Sequence, residues 1–183
     1  MSWKLSGTVA LAFLLAAVLI LSMQNQNLRE QFHIAFEKTR FAYVGMYVPE
    51  LTATNSVGQH VVLGSPSGRK QLLFVFNVHC PHCRTSMPAA RRIWDGLDKS
   101  SSIELIALTH DSSDETASYL KEFGFDIPFV SLSSERGLAL LHAASVPQLM
   151  LIGENGQVEY VHIGEIAMDD VDAIVAAVDI FGS

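Results

Sequence analysis

The sequence predicts an α/β sandwich, in which helices cover a mixed β-sheet, preceded by an N-terminal membrane helix. The first observation behind this prediction is the order of elements from Gly45 onward, where strands and helices alternate before a hairpin and a last helix. The second is an Asn-Gly pair between two apolar runs near the C-terminus, a typical hairpin turn. The third is a long apolar run at the N-terminus, which contributes to a mean hydropathy of +0.28.

The N-terminal apolar run covers residues 5–23 and has the length of a membrane span. Helical residues rise about 1.5 Å each, so the run extends about 28 Å, close to the hydrocarbon thickness of a bilayer. A secretory signal peptide is the competing interpretation, with Lys4 as its basic start, but residues 21–24 (LSMQ) form a poor cleavage site. A lipoprotein anchor is excluded because no cysteine precedes Cys80. We therefore predict an uncleaved, single-pass anchor.

The predicted anchor divides the chain into a cytoplasmic N-terminus (residues 1–4), the span itself, a helical stalk (24–44) and a folded domain (45–183). Lys4 favours an N-terminus inside the cell, although basic residues also follow the span. The redox chemistry argued below favours the same orientation. We therefore expect a bacterial inner (cytoplasmic) membrane, with the domain on the periplasmic side.

Apolar periodicity and turn residues predict the elements of the domain. The run Leu72–Val78 (LLFVFNV) is continuously apolar, as in a central strand covered on both faces. The helix predicted over 114–123 has an acidic first turn and stops at Gly124. The predicted strands are 61–63, 72–78, 103–108, 129–132, 149–152 and 158–163, and the predicted helices are 80–97, 114–123, 134–142 and 169–181.

Charge and cysteine content exclude several classes of function. The 183 residues include 12 basic and 19 acidic side chains, and the net charge of −7 argues against a nucleic-acid partner. Two cysteines are too few for a disulfide scaffold or for a four-cysteine zinc site. The sequence indicates no cofactor.

The two cysteines form the motif Cys80-Pro81-His82-Cys83, between a predicted buried strand and a predicted helix. Unpaired N–H groups and the helix dipole stabilise an anion at a helix N-terminus, so Cys80 is predicted to be the attacking thiolate. Cys83 lies one turn later, within reach to close a disulfide, and Pro81 suits the first turn. His82 is predicted to lower the pKa of Cys80 and make the disulfide more oxidising, while His79 either does the same or caps the strand.

Other chemistries require other residues at this motif. A haem attachment site needs a histidine at position 84, which is arginine. A metal site built from the histidines and cysteines of residues 79–83 stays open, because copper and zinc accept such ligands, although ligands on one helical turn rarely surround an ion. A purely structural disulfide is disfavoured, since so small a loop restrains little of the unfolded chain.

A second motif, Val146-Pro147, lies directly before a strand, where a proline is tolerated only at a start or an edge. The dithiol precedes it by about 65 residues, a spacing that resembles the thioredoxin superfamily. The wider pattern is LLFVFNVHCPHCRTSMPAARRIW, ELIALTHD, IPFV and SVPQLMLIGENGQVEYVHIG. Over roughly Gly45–Ser183 it resembles the membrane-anchored TlpA/ResA type of thiol–disulfide oxidoreductase, and MauD-type accessory proteins of the same fold fit nearly as well.

The resemblance implies a thioredoxin-like fold that exchanges disulfides outside the cytoplasm. Cys80 would be the nucleophile and Cys83 the resolving thiol of a redox-active disulfide. Pro147 would be a cis-proline that, with Val146, binds the substrate backbone. The implied partners are protein thiols and disulfides, a membrane partner that recycles the dithiol, and the bilayer itself through residues 5–23.

Three positions depart from the family pattern, and at the first of them His79 replaces the tryptophan that precedes the first cysteine. Thioredoxins carry a buried acid where this chain has Phe74, and ResA-like proteins carry a glutamate where it has Ser86. The usual proton acceptors for the resolving thiol are therefore missing. The Pro81-His82 dipeptide is that of the strongly oxidising DsbA type. On family grounds we expect a reductase or general exchange enzyme, with an oxidant as the alternative.

A different class of function also fits the motif. It is a thioredoxin-fold metallochaperone, or an accessory protein for enzyme maturation, that binds copper through His82 and the two cysteines. This hypothesis predicts near-stoichiometric metal in the reduced protein. The enzyme hypothesis instead predicts mixed disulfides that a Cys83 variant traps.

Overall fold

The structure is a computed structural model that describes residues 2–64, 69–97, 103–125, 127–132 and 135–182. For residues 2–12, 33, 35–39, 135–136 and 181–182 the description covers the backbone alone. The chain divides into two compact units, Met1–Lys38 and Thr39–Ser183. The second unit thus begins before the predicted domain boundary at Gly45.

Helix α1, Ser2–Thr39, makes up nearly all of the first unit. No helix among the described residues combines the length and the apolar character that crossing a membrane requires. The side chains of residues 5–12 lie outside the described residues, so the predicted span is described in full only from Phe13 onward. The helix ends at Thr39, and the prediction of a helical stalk is therefore wrong for residues 40–44. Residues 40–44 belong to the second unit, and the backbone of this segment bonds to a side chain of the same unit, as described below.

The second unit contains all the predicted strands and helices, with ends that differ by three residues at most. Ser134, the predicted start of one helix, lies outside the described residues. The elements are β1 (Leu51–Thr54), β2 (His60–Leu63), β3 (Lys70–Val75), α2 (Pro81–Gly96), β4 (Ile103–Thr109), α3 (Ser113–Glu122), β5 (Phe129–Ser131), α4 (Glu135–Leu140), β6 (Gln148–Ile152), β7 (Val158–Ile163) and α5 (Val171–Gly182).

Five strands form one mixed sheet in the order β5-β4-β3-β6-β7. Strands β3, β4 and β5 are parallel, while β6 runs antiparallel to both β3 and β7. The prediction of an α/β sandwich with a mixed sheet is therefore confirmed. Strands β1 and β2 form a separate antiparallel hairpin. The sequence prediction missed β1, because its four residues LTAT contain no apolar run.

The central strand β3 is buried on both faces, as its apolar run predicts. Leu72 and Phe74 lie in one hydrophobic cluster with residues of α2, α3 and α5. Leu73 and Val75 lie in the other cluster, with residues of α4 and of the β1–β2 hairpin. Because β3 and β4 are parallel, the chain leaves both strands at the same edge of the sheet. The motif Cys80–Cys83 follows β3 at that edge.

Candidate active site

Cys80 occupies the N-cap position of helix α2, at the end of the turn that leaves β3. Its backbone N–H donates to the carbonyl of Asn77 at 3.2 Å, and its own carbonyl accepts from Arg84 N at 3.1 Å. Pro81 follows as the first helical residue, where the missing N–H costs no helical hydrogen bond. The structure thus places the Cys80 thiol at a helix N-terminus, as the sequence predicts.

The two cysteines are three residues apart but lie in different environments. Both are free thiols, and Cys80 is partly exposed whereas Cys83 is fully buried. Burial raises the pKa of Cys83 well above the ordinary value of 9.0, although a hydrogen bond from Asn77 N to Sγ at 3.5 Å opposes the change. The neighbouring Cys80 and Asp111 raise this pKa further. Cys83 is therefore a protonated thiol without solvent access, while Cys80 is the thiol that a substrate can reach.

The loop before β6 lies against Cys80. The Val146–Pro147 peptide bond is cis, as the resemblance implies, and Pro147 is buried. The carbonyl of Val146 lies 3.9 Å from Cys80 Sγ. Strand register explains this contact, because Val75 at the end of β3 pairs with Gln148 at the start of β6. The structure therefore brings together the dithiol and the proline motif, which lie far apart in the sequence.

Gln148 holds the proline loop, and sequence analysis missed it. This side chain is fully buried; its Oε1 accepts from Ala42 N at 3.1 Å, and its Nε2 donates to the carbonyls of Arg40, at 3.1 Å, and of Ser145. Arg40 adds a bond from Nε to Ser145 Oγ at 2.9 Å. These bonds tie the segment after α1 to the loop, which explains why the helix stops at Thr39. The available signal was a glutamine directly after Pro147 in the otherwise apolar strand QLMLI.

His82 contacts a carboxylate on the rim of the site. Its Nδ1 lies 2.9 Å from Glu165 Oε2, and both side chains are largely exposed. The predicted effect of His82 on the Cys80 pKa stays a prediction. Sequence analysis did not anticipate Glu165, which lies on the loop after β7.

Ser86 stands at the position where ResA-like proteins carry a glutamate, and it has a structural contact there. The buried Oγ donates to the carbonyl of His82 at 2.8 Å and accepts from Ile166 N at 2.9 Å. This residue therefore joins the first turn of α2 to the loop that carries Glu165.

A buried acid does lie beside the dithiol, although not at either position that the family pattern suggests. Asp111 follows β4; its Oδ1 accepts from Asn77 Nδ2, and its Oδ2 accepts from Val78 N and Thr109 Oγ1, each at 2.8 Å. The residue is only 8% exposed. The signal in the sequence was a polar end (THD) on a strand parallel to the one before the dithiol.

Tyr119 of α3 lies near Cys83. Its ring stacks on Phe76 with centroids 5.9 Å apart, and its buried hydroxyl has no hydrogen-bond partner among the described residues. Burial and, next, the nearby Cys83 raise the pKa of this phenol well above 10.0. The phenol beside the resolving thiol is therefore neutral.

The described residues contain no group of three or more histidine, cysteine or acidic side chains placed to hold a metal ion. The candidate ligands of residues 79–83 are among those described. His79 is exposed, and its backbone N–H donates to Asn77 Oδ1 at 2.8 Å.

Comparisons with known proteins agree with this geometry. The Redoxin family model matches residues 43–177. Thioredoxin-like protein YneN of Bacillus subtilis is 21% identical over 131 residues, 70% of this chain and 76% of the relative. Thiol-disulfide oxidoreductase ResA of Geobacillus kaustophilus is 23% identical over 137 residues, 74% of this chain and 78% of the relative.

Solved structures show the same fold. The thioredoxin domain of a thiol-disulfide oxidoreductase from Bacteroides vulgatus superposes with a TM-score of 0.63 and 18% identity. The match covers 78% of this chain and 99% of that domain. The thioredoxin-like fold that the resemblance implies is therefore confirmed.

Proposed function

The chain belongs to the Redoxin family and is a thioredoxin-like oxidoreductase, and we propose that it exchanges disulfides with proteins through Cys80 and Cys83. One observation carries the proposal. A partly exposed thiol lies at a helix N-terminus beside the carbonyl of Val146, and a fully buried thiol follows one turn later. This arrangement separates an attacking group from a resolving group.

The reaction proceeds in two displacements. The Cys80 thiolate attacks a substrate disulfide; a bond forms between Cys80 and one substrate sulfur, and the other sulfur leaves as a thiolate that takes up a proton. The Cys83 thiol then loses its proton and attacks Cys80 Sγ. The Cys80–Cys83 disulfide forms, and the second substrate sulfur leaves as a thiolate that takes up a proton. Two electrons pass from the dithiol to the substrate, and a thiol reductant in the membrane returns them.

Reduction of substrates is the proposed direction. The Pro-His dipeptide favours an oxidising disulfide when the histidine supplies positive charge near the attacking thiolate. Here the Glu165 carboxylate lies 2.9 Å from His82 Nδ1 and offsets such a charge. The absence of proton acceptors at positions 74 and 86 does not decide the direction, because it affects the rate of both.

The proposed location is the periplasmic side of the inner membrane, with residues 5–23 as the anchor and 24–39 as a helical stalk. The apolar run in the sequence supports this, as do large apolar side chains of its described part, which are exposed in α1 (Phe13, Leu19 and Met23 among them). An anchored chain stays in the membrane fraction after carbonate extraction, and a membrane-impermeant maleimide labels Cys80 in intact cells. Release by carbonate, or labelling only after lysis, would contradict the proposal.

Substitution of each cysteine tests the proposed function. We expect Cys80→Ser to abolish reduction of a disulfide substrate and Cys83→Ser to accumulate a mixed disulfide on Cys80. Retained activity in Cys80→Ser, or no trapped species in Cys83→Ser, would contradict the exchange reaction. Copper bound to the reduced protein at one equivalent, and lost in His82→Ala, would favour the metallochaperone hypothesis instead.

A further inference from the structure

Asp111 is a buried carboxylate beside the dithiol that the proposed reaction does not use. Three donors at 2.8 Å compensate for its burial: a side-chain amide, a backbone N–H and a hydroxyl. Two of the three belong to Asn77 and Val78, in the turn before Cys80.

Asn77 connects Asp111 to both cysteines. Its backbone N–H donates to Cys83 Sγ at 3.5 Å, and its carbonyl accepts from Cys80 N at 3.2 Å. Its side-chain Nδ2 donates to Asp111 Oδ1. A displacement of this residue would therefore move the hydrogen-bond partners of both cysteines together. Asp111 limits that displacement, because it also holds the next residue through Val78 N.

The charge of Asp111 acts on Cys83 as well. Among the described residues, the titratable groups that interact with Cys83 are Cys80 on its own helix, Asp111 after β4 and Tyr119 on α3. Tyr119 carries no charge, because burial raises the pKa of its phenol. A negative carboxylate opposes the formation of a second anion nearby, and its influence on the Cys83 pKa has this sign.

We propose that Asp111 is a positioning residue of the dithiol, which fixes the turn before Cys80 through Asn77 and Val78 and slows the release of the mixed disulfide by Cys83. The inference rests on the proposed exchange reaction. In the step concerned, the Cys83 thiol loses its proton and its sulfur attacks Cys80 Sγ, while the departing substrate sulfur takes up a proton. The Cys80–Cys83 bond forms as the Cys80–substrate bond breaks.

Removal of the Asp111 charge should lower the Cys83 pKa, so the sign of the effect on the release step is predictable. A fall of one unit in the Cys83 pKa raises the thiolate fraction about tenfold near neutral pH. The same fall lowers the intrinsic nucleophilicity of the thiolate about threefold. Release in Asp111→Asn should therefore become about three times faster for each unit by which the Cys83 pKa falls. Asparagine has the size of aspartate and keeps one acceptor oxygen, so this variant tests the charge, whereas a residue that acted only through its hydrogen bonds would slow the step when substituted.

The experiment uses the reduced full-length chain in detergent with oxidised glutathione. Acid quenching and mass spectrometry follow two phases: formation of the Cys80–glutathione adduct and its loss as the Cys80–Cys83 disulfide forms. We expect Asp111→Asn to speed the second phase, about threefold for a fall of one unit in the Cys83 pKa, and to change the first by less than twofold. Asp114→Asn, which removes an exposed charge three residues later, should change neither phase.

Asn77→Ala provides the opposite test, because it removes the side-chain bond and keeps the Asp111 charge. We expect this variant to slow the second phase, and an unchanged second phase would overturn the positioning part. A second phase in Asp111→Asn that is slower or unchanged would overturn the part that concerns charge. Should Asp111→Asn fail to fold, judged by circular dichroism, Asn77→Ala still decides the positioning part. An absence of any adduct in the unsubstituted chain would instead reject the exchange reaction itself.

Discussion

The turn that carries the dithiol and the loop that carries Pro147 meet at one edge of the sheet, yet they are held in different ways. The turn is fixed by its own residues, since Asn77 contacts His79, Cys80 and Cys83 within six positions. One carboxylate from the end of the neighbouring strand, Asp111, adds bonds to Asn77 and Val78. The loop is fixed by Gln148, whose side chain bonds to Arg40 and Ala42 more than 100 positions earlier. The attacking thiol therefore depends on local chain geometry and the adjacent strand end, whereas the loop that faces it depends on a segment far away in the sequence.

Substitution of Gln148 should break the loop and leave the turn in place. We expect Gln148→Leu to lower the free energy of unfolding by about 3 kcal/mol, because buried backbone groups lose their partners. The reaction with a protein disulfide should also become slower, since the segment facing Cys80 loses the hydrogen bonds of the Gln148 side chain. Chemical denaturation and a turnover assay on the same samples measure both effects.

Gln71 is a matched control at the other end of the same strand pair. It is also buried; its Oε1 accepts from Gly64 N at 3.1 Å, and its Nε2 donates to Val62 O at 2.7 Å. It pairs with Ile152, whereas Gln148 pairs with Val75. Gln71→Leu should therefore destabilise the domain without slowing exchange. An equal loss of exchange in both variants would show that the loop has no special dependence on Gln148.

Alkaline pH should lower the free energy of unfolding through Cys83, which lies just after the turn. Burial raises the pKa of Cys83 in the folded state, so the folded chain retains a proton that the unfolded chain loses above pH 9. Stability is then complete below pH 9 and falls as pH rises above it, by at most about 1.4 kcal/mol per pH unit. Urea unfolding of the reduced chain between pH 8 and 10.5 measures the slope.

Two variants assign this slope to one thiol. Cys83→Ala should reduce it, whereas Cys80→Ala should retain it because Cys80 is partly exposed. The oxidised chain, which has no thiol to titrate, should resemble Cys83→Ala. An equal or steeper slope in Cys83→Ala than in the unsubstituted chain would contradict the assignment.

The smallest expected effect concerns the rim contact between His82 and Glu165. Exposed ion pairs contribute less than about 1 kcal/mol, so Glu165→Gln should raise the reduction potential by only about 10 mV. The shift should disappear when His82 is already alanine. Equilibration with glutathione in both backgrounds measures it. A fall in potential, or an equal shift without His82, would contradict the role given to Glu165 in the direction of exchange.

The difference between local and long-range contacts also explains which features could be predicted from the sequence. The dithiol turn was predictable because an apolar strand, Cys-Pro-His-Cys and an amphipathic helix are consecutive in the chain. The hairpin of β6 and β7 was predictable from Asn155-Gly156, since Gly156 adopts a φ of +77° that suits such a turn. The pairing of His82 with Glu165 was not, because nothing local to either residue specifies the other.

Asp111 and Gln148 show most clearly which roles could not be predicted from the sequence. Both are polar residues at strand ends, a place where most such residues are exposed. Their role depends on which strands are neighbours, and the order β5-β4-β3-β6-β7 follows from the packing of the whole domain. Strand β1 was missed for a related reason, because it is stabilised by pairing with β2 rather than by its own apolar pattern.

The proposed exchange reaction requires Cys80 to be the accessible, attacking thiol and Cys83 the buried, resolving one. The most direct measurement is the rate at which iodoacetamide alkylates each cysteine in the reduced full-length chain at pH 7.5, mapped by mass spectrometry. We predict that Cys80 reacts first and that Cys83 reacts at least about 100-fold more slowly, because it is both buried and protonated. Alkylation of Cys83 at the same rate as Cys80, or ahead of it, would contradict the assignment.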